Sequence, residues 1–234
     1  MSLLTIVQNA ADRLGVARPT SVVGSSDTQV RQMYGLTLQE GRELSRRGPW
    51  QALTTEKTIT ATATEEQSGA LPADFDRMIE GSFWNRTQDR RVVGPVDPQR
   101  WQAIKTGLFV SVWDAFRIRG DALLMTPTPT ENDSLAYEYV SSYWCTNAAG
   151  DTTKVTMDAD DDVARLCEEC ITLGLMWRFL KAKGLDYSEA FRTYEMEVAK
   201  RLANDGGMRP LDLNDCRYVD GFYDPYVTDG NWSI

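Results

Sequence analysis

Four cysteines and a surplus of carboxylates are the side chains in this sequence best suited to chemistry, and histidine is absent from all 234 residues. Without an imidazole there is no Ser-His or Cys-His nucleophile system, no histidine general base and no histidine-containing metal site. Cys167-Glu-Glu-Cys170 has C-x-x-C spacing, and with Cys145 and Cys216 a four-thiolate zinc site can be drawn. Zinc ribbons bring two tight pairs on turns, whereas here one pair is joined by two distant singles. The pair also falls in a segment of helical pattern, so the reading is buried structural thiols on the side of Leu166 and Leu173, ahead of metal or redox chemistry. Asp74 with Asp76, or Glu168 with Glu169, has the makings of an acid/base pair. A chain with 34 acidic residues produces such pairs by chance, and they read as solvated groups. Trp84, Trp101, Trp113, Trp144 and Trp177 are scattered over different segments and read as core residues rather than a carbohydrate platform. No phosphate-binding loop, dinucleotide fingerprint or nucleophile elbow occurs. The expectation is a non-enzymatic protein with no cofactor and no metal.

Composition narrows the class further. The charge is -9 with 42% hydrophobic residues, which suits a globular body and disfavours general attraction to nucleic acid or an anionic membrane. No apolar run reaches about 18 residues. The opening MSLLTIVQNAADRLG carries Asp12 and Arg13 and reads as an amphipathic helix, not a targeting segment.

Leu3, Val7, Ala10 and Leu14 share one helical face, predicting a helix from Ser2 to Leu14 that stops at Gly15. Ser25-Ser26-Asp27 offers a cap for a second helix running to about Arg47, with Val30, Met33, Thr37, Leu38 and Leu44 inward. Its basic end, Arg42, Arg46 and Arg47, suits the helix dipole and is also the candidate lumen- or DNA-facing group. From Trp50 the pattern changes. Leu53 to Thr64 alternates like a strand, Met78 to Trp84 and Arg90 to Val93 read as partners, Asp97-Pro98 starts a short helix to Lys105, and Phe109–Arg119, Asp121–Met125 and Ser134–Trp144 add strands. The run Asp158 to Asp162 is predicted to cap a long helix from Asp161 to Lys183. That helix is apolar on nearly all sides, and Ile171, Leu175, Met176 and Phe179 are the candidate subunit interface. A final helix, Ser188 to Asn204, should lie beside it.

Beyond Asn204 the sequence turns to glycine, proline and six aspartates yet keeps Tyr218, Phe222, Tyr223, Tyr226 and Trp232, five aromatics in thirty residues. Flexible tails are usually poor in aromatics, so these five are candidate anchors for a partner surface. The predicted fold class is α+β, a helical bundle of N- and C-terminal helices with an inserted antiparallel β region and an extended C-terminal arm. The divisions are 1–49 for the N-terminal helices, 50–157 for the β region, 158–204 for the C-terminal helix pair and 205–234 for the arm.

Ala11-Asp-Arg-Leu14-Gly15, a second helix ending in Arg-Arg-Gly-Pro-Trp50, a Thr-rich strand, Leu71-Pro-Ala-Asp-Phe-Asp-Arg77 and a closing helix pair together resemble tailed-bacteriophage head-to-tail adaptor (connector) proteins. They are similar to the tail tubular protein A type of short-tailed phages, over roughly residues 1–205. The resemblance implies a homo-oligomeric ring, commonly of twelve subunits, docked below the portal protein at the portal–tail junction of the virion. Double-stranded DNA would pass through its lumen without sequence-specific binding. The helices would lie beside the portal and the β part would face a tail nozzle or tail fibre proteins, with no active site and no membrane. Such a chain is made in the host cytoplasm. A negatively biased lumen would let DNA slide, which suits the acidic composition. The alternatives are another neck or tail-completion protein that binds fibres or nozzle, and a virion-associated carboxylate hydrolase.

Overall fold

The computed structural model describes residues 2–107 and 114–206. Phe109, Trp113, Cys216 and the five aromatics Tyr218, Phe222, Tyr223, Tyr226 and Trp232 lie outside the described residues. Within them the fold is mixed α+β, with five α-helices and antiparallel sheets.

Helix α1 (Leu3–Leu14) starts where Ser2 accepts the N–H of Thr5 and ends at Gly15, whose φ of 68° closes the helix in the left-handed region that glycine adopts without a Cβ penalty. Its apolar stripe, Leu3, Ile6, Val7, Ala10 and Ala11, is fully buried. Asp27 caps α2 (Thr28–Arg46) through a 2.7 Å bond from the N–H of Gln29. Both starts follow from oxygen-bearing side chains placed just before an apolar-periodic run. Asp97 likewise caps the short α3 (Pro98–Thr106), accepting from Gln99 and Arg100.

Between these helices the chain forms β1 (Thr54–Thr60), β2 (Glu66–Gln67), β3 (Phe75–Met78), β4 (Trp84–Asn85) and β5 (Arg90–Arg91), then β6 (Ala115–Arg119), β7 (Ala122–Thr126) and β8 (Ser134–Ser141). β8 organises the larger sheet. It pairs with β1 along one edge, from Thr54 opposite Val140 to Thr60 opposite Ser134, and with β3 and β4 along the other; β5 pairs with β4. The predicted hairpin partners around Trp84 and Arg91 therefore meet. A second sheet has the order β2-β7-β6. The two share an aromatic core in which Phe83 meets Phe116 edge-on at 5.0 Å and Tyr137 at 5.6 Å. Such offset contacts add to the burial of the rings themselves.

After β9 (Cys145–Thr146), β10 (Thr153–Lys154) and β11 (Val163–Ala164), which form a three-stranded sheet, α4 (Glu168–Ala182) and α5 (Ser188–Asp205) complete the described chain. Helix α4 packs against α1, α2 and α5 in one core that also takes Trp50, Leu53, Val140 and Trp144.

The acidic run does not start α4. Residues 163–164 form a strand, and the cap of α4 is Cys167. The run instead serves the N-terminal part of the chain. The carbonyls of Asp162 and Asp160 accept the first free N–H groups of α1, Leu3 at 2.8 Å and Leu4 at 3.0 Å. The Asp160 carboxylate takes the N–H groups of Val22 and Val23 on the α1–α2 connection. Asp162 is buried; it accepts the N–H of Asp158 and Ala159 and pairs with Lys154 at 2.9 Å. Helix ends and turns need such acceptors as much as α4 does, and proximity in space decided which ones received them.

Asp162→Ala should therefore cost about 2–3 kcal/mol, because it strands two backbone donors and leaves Lys154 with Asp158 as its remaining carboxylate partner. Burial pushes the Asp162 carboxyl up, but the Lys154 ammonium and the backbone N–H groups outweigh it and hold it below the usual range. A depressed folded-state value means this contribution is present above the ordinary carboxylate pKa and is lost as pH falls through the folded value, below about pH 4. Urea denaturation at pH 7 and in acid should show the variant and wild type converging as the pH drops. A constant difference between them would contradict the assignment.

Candidate functional site

The segment Leu71–Arg77 acts as a joint between sheet and helices. Asp74 accepts the hydroxyls of Tyr139 (3.0 Å) and Ser141 (2.6 Å), fixing β3 at the end of β8, and Phe75 stacks on Tyr139 at 5.8 Å. Arg77 then donates to the carbonyl of Gly48, at the end of α2, at 2.7 Å. Arg165 makes a second tie, reaching the carbonyls of Tyr143 and Ala52. Asp74 and Asp76 are thus engaged structurally, Asp76 by Arg77 at 2.7 Å, and Glu169 is held by Arg13 at 2.7 Å.

The three arginines at the end of α2 do not act as one group. Arg42 and Arg46 are exposed and line a crevice of about 270 Å³ with Ser45, Asp76 and Ser142, and Arg42 donates to Thr156. Arg47 points the other way. It pairs with Glu195 at 2.7 Å and lies over the Tyr194 ring at 5.4 Å, fastening α2 to α5. Two of the three are left facing outward.

The candidate interface on α4 is covered by the chain itself. Ile171, Leu175 and Phe179 are buried against the other helices, and Met176 is half-buried. The apolar surface that suggested a second subunit is satisfied because α4 lies at the centre of three helices, which sequence periodicity along one element does not reveal. The exposed apolar side chains among the described residues lie elsewhere, at Val155, Leu185, Phe191 and Met196.

An ionic network threads this interior. Glu40 of α2 is fully buried and accepts Arg178 of α4 at 2.7 Å and the hydroxyl of Tyr194 of α5 at 2.6 Å; Arg178 also reaches Glu43 at 2.7 Å and covers Trp177. Burial raises the Glu40 carboxyl above the ordinary value, with the Tyr194 and Arg178 bonds opposing it. Sequence reading missed the network because Glu40 sits on the inward face of an otherwise apolar pattern, and only its mismatch with Val30, Met33 and Leu44 marked it.

On the sheet, an open hollow of about 480 Å³ is lined by Glu56, Ser82, Trp84, Arg86, Asp89 and Glu138. Glu56 stands directly opposite Glu138 in the β1–β8 register, an arrangement that repels unless compensated. Arg86 supplies the compensation at 3.0 Å from Glu56.

Cys167 departs furthest from expectation. It packs half-buried against the helical core at the cap of α4, where its Sγ accepts the N–H of Cys170 at 3.4 Å. The Cys170 thiol donates to the same sulfur from a fully buried position. That hydrogen bond, then the backbone donors and the Arg201 guanidinium of α5, lower the Cys167 thiol to about 6, and the same contact with burial pushes Cys170 up. Cys145 and Cys170 are buried thiols, as the sequence suggested. The missed signal was the start of α4, which lies at Glu168, seven residues after the predicted Asp161.

Compared with known proteins, the chain matches no family model and no curated sequence. Among the described residues no helix is long and apolar enough to cross a membrane, and no cluster of three metal-ligating side chains occurs.

Proposed function

We propose that this chain is a structural subunit of a tailed-phage particle, a head-to-tail adaptor that forms a ring below the portal, joins capsid to tail and lines part of the DNA exit channel. The observation that carries the reading is the order of the chain. N-terminal helices α1 and α2 and C-terminal helices α4 and α5 share one core, while the intervening strands build a second core of their own, the arrangement that the resemblance implies for an adaptor. The chain then continues past α5 with five aromatic residues and no enzyme-like motif.

In this reading the helical body abuts the portal and the β region, tied to it through Arg77 and Arg165, faces the nozzle or fibres. Arg42 and Arg46, in their crevice, are the positive groups available to passing DNA, while Arg47 serves the fold. Tyr218, Phe222, Tyr223, Tyr226 and Trp232 act as anchors on a neighbouring chain.

Removing residues 207–234 tests the arm. Asp205, which accepts the N–H of Gln51 at 2.6 Å, is retained, so α5 keeps its tie to the start of the β region. The truncated protein should show the wild-type Tm yet fail to enter particles in a complementation assay, and native mass spectrometry of the full chain with portal should give twelve-fold stoichiometry. Normal incorporation of the truncated chain would remove the anchor role, and a stoichiometry unrelated to the portal would remove the adaptor reading.

A further inference from the structure

Cys167 and Cys170 occupy the first turn of α4 in the relation of an attacking and a resolving thiol. Their i, i+3 spacing at a helix start places the two Cα atoms about 5–6 Å apart, within the span of an unstrained disulfide. One sulfur is half-buried, receives a backbone N–H and a thiol hydrogen, and has the Arg201 guanidinium nearby; the other is fully buried directly behind it. Neither thiol is needed to hold the cap, which serine would satisfy better. We propose that Cys167 and Cys170 form a reversible dithiol–disulfide couple that exchanges with small-molecule disulfides of the glutathione class.

The reaction balances in two steps. The Cys167 thiolate attacks one sulfur of oxidised glutathione, forming a mixed disulfide and expelling one glutathione thiolate, which takes up a proton. Cys170 then loses its proton to solvent and attacks the Cys167 sulfur, closing the intramolecular disulfide and releasing the second glutathione. Two protein thiols are oxidised and one glutathione disulfide is reduced to two thiols. Arg201 is a positioning residue that favours the thiolate. The other charge acting on the pair is Glu197 of α5, bonded to Arg201 at 2.8 Å; Glu168 and Glu169 also lie in the first turn of α4, where Glu169 acts on Cys167 through its backbone N–H and its carboxylate is engaged by Arg13. The couple is independent of the adaptor reading, since it depends only on the local fold of α4 and α5.

The full chain, reduced and then incubated with oxidised glutathione at pH 7, should lose two hydrogens in intact mass, and peptide mapping should join Cys167 to Cys170. Cys170→Ala should instead accumulate one glutathione on Cys167, and Cys167→Ser should remain unmodified at this site. Alkylation of Cys167 by iodoacetamide should be half-maximal near pH 6, where an ordinary thiol gives about 8.5, and Arg201→Gln should move that midpoint upward. A folded wild-type chain that keeps both thiols under conditions that oxidise the urea-unfolded chain would overturn the proposal. So would equal glutathionylation of both single variants, or a wild-type mixed disulfide that never resolves.

Discussion

Arg178→Ala is expected to destabilise the protein by about 3–5 kcal/mol, because it leaves the Glu40 carboxylate buried without its cationic partner. Among the described residues Arg178 is the cation that hydrogen-bonds Glu40, and it binds Glu40 and Glu43 through different nitrogens, each at 2.7 Å. Arg178→Lys keeps the charge but cannot span both carboxylates, so it should recover part of the loss and no more. Replacing the pair together, Glu40→Gln with Arg178→Met, should cost less than Arg178→Ala alone, since neither side chain then carries an uncompensated charge. The effect depends on pH with a definite sign. Glu40 has a raised folded-state value, so its protonated form is favoured in the native protein; that contribution is complete below the unfolded value near 4.3 and is lost as pH rises through the folded one. Without Arg178 the carboxyl is raised further, and the penalty should be larger at pH 8 than at pH 5. Urea denaturation of the variants at both pH values measures this, and a penalty under about 1 kcal/mol, the range of an exposed pair, would show that the network contributes little.

Gly41→Ala and Gly35→Ala should have opposite effects although both lie in α2. A Cβ at Gly41 would fall 2.4–2.6 Å from three carbons of the Trp144 indole, a fully buried rigid ring. Overpacking of this kind costs about 1–3 kcal/mol and can exceed that, which outweighs the roughly 1 kcal/mol gained from helix propensity. At Gly35 nothing lies within 4 Å of the added carbon, so the propensity gain should appear undiminished, as stabilisation of up to about 1 kcal/mol. Gly174 repeats the first case in α4, where a Cβ would meet the Glu40 side chain at 2.2 Å. Thermal unfolding of the two α2 variants gives the comparison directly. If Gly41→Ala were as stable as wild type, the α2–Trp144 contact would have to be looser than these distances allow.

Local patterns in the sequence located the ends of α1 and α2 because glycine in the left-handed region and an aspartate cap act through neighbouring atoms alone. The same holds for Asp97 before α3. The strands around Trp84 and Arg91 were also legible, since a hairpin joins residues only a few positions apart. Absence of histidine needed no structure, and it removes whole classes of chemistry at once.

Tertiary structure decided everything that depends on which distant segments meet. β1 and β8 pair across some eighty residues of chain, a register that neither strand specifies alone. The acidic run 158–162 could have capped any nearby helix, and the fold gave the backbone carbonyls of Asp160 and Asp162 to α1 and the Asp160 carboxylate to the α1–α2 connection. An apolar surface on every side of α4 identifies a helix that must be enclosed; whether by its own chain or by another is a matter of packing, and α1, α2 and α5 enclose it. The same late start of α4 placed Cys167 at a helix cap beside Cys170, turning two thiols that read as core filler into a pair in contact. Spacing along the chain fixes only local geometry, whereas charge compensation, burial and thiol environment arise from contacts between residues far apart in sequence.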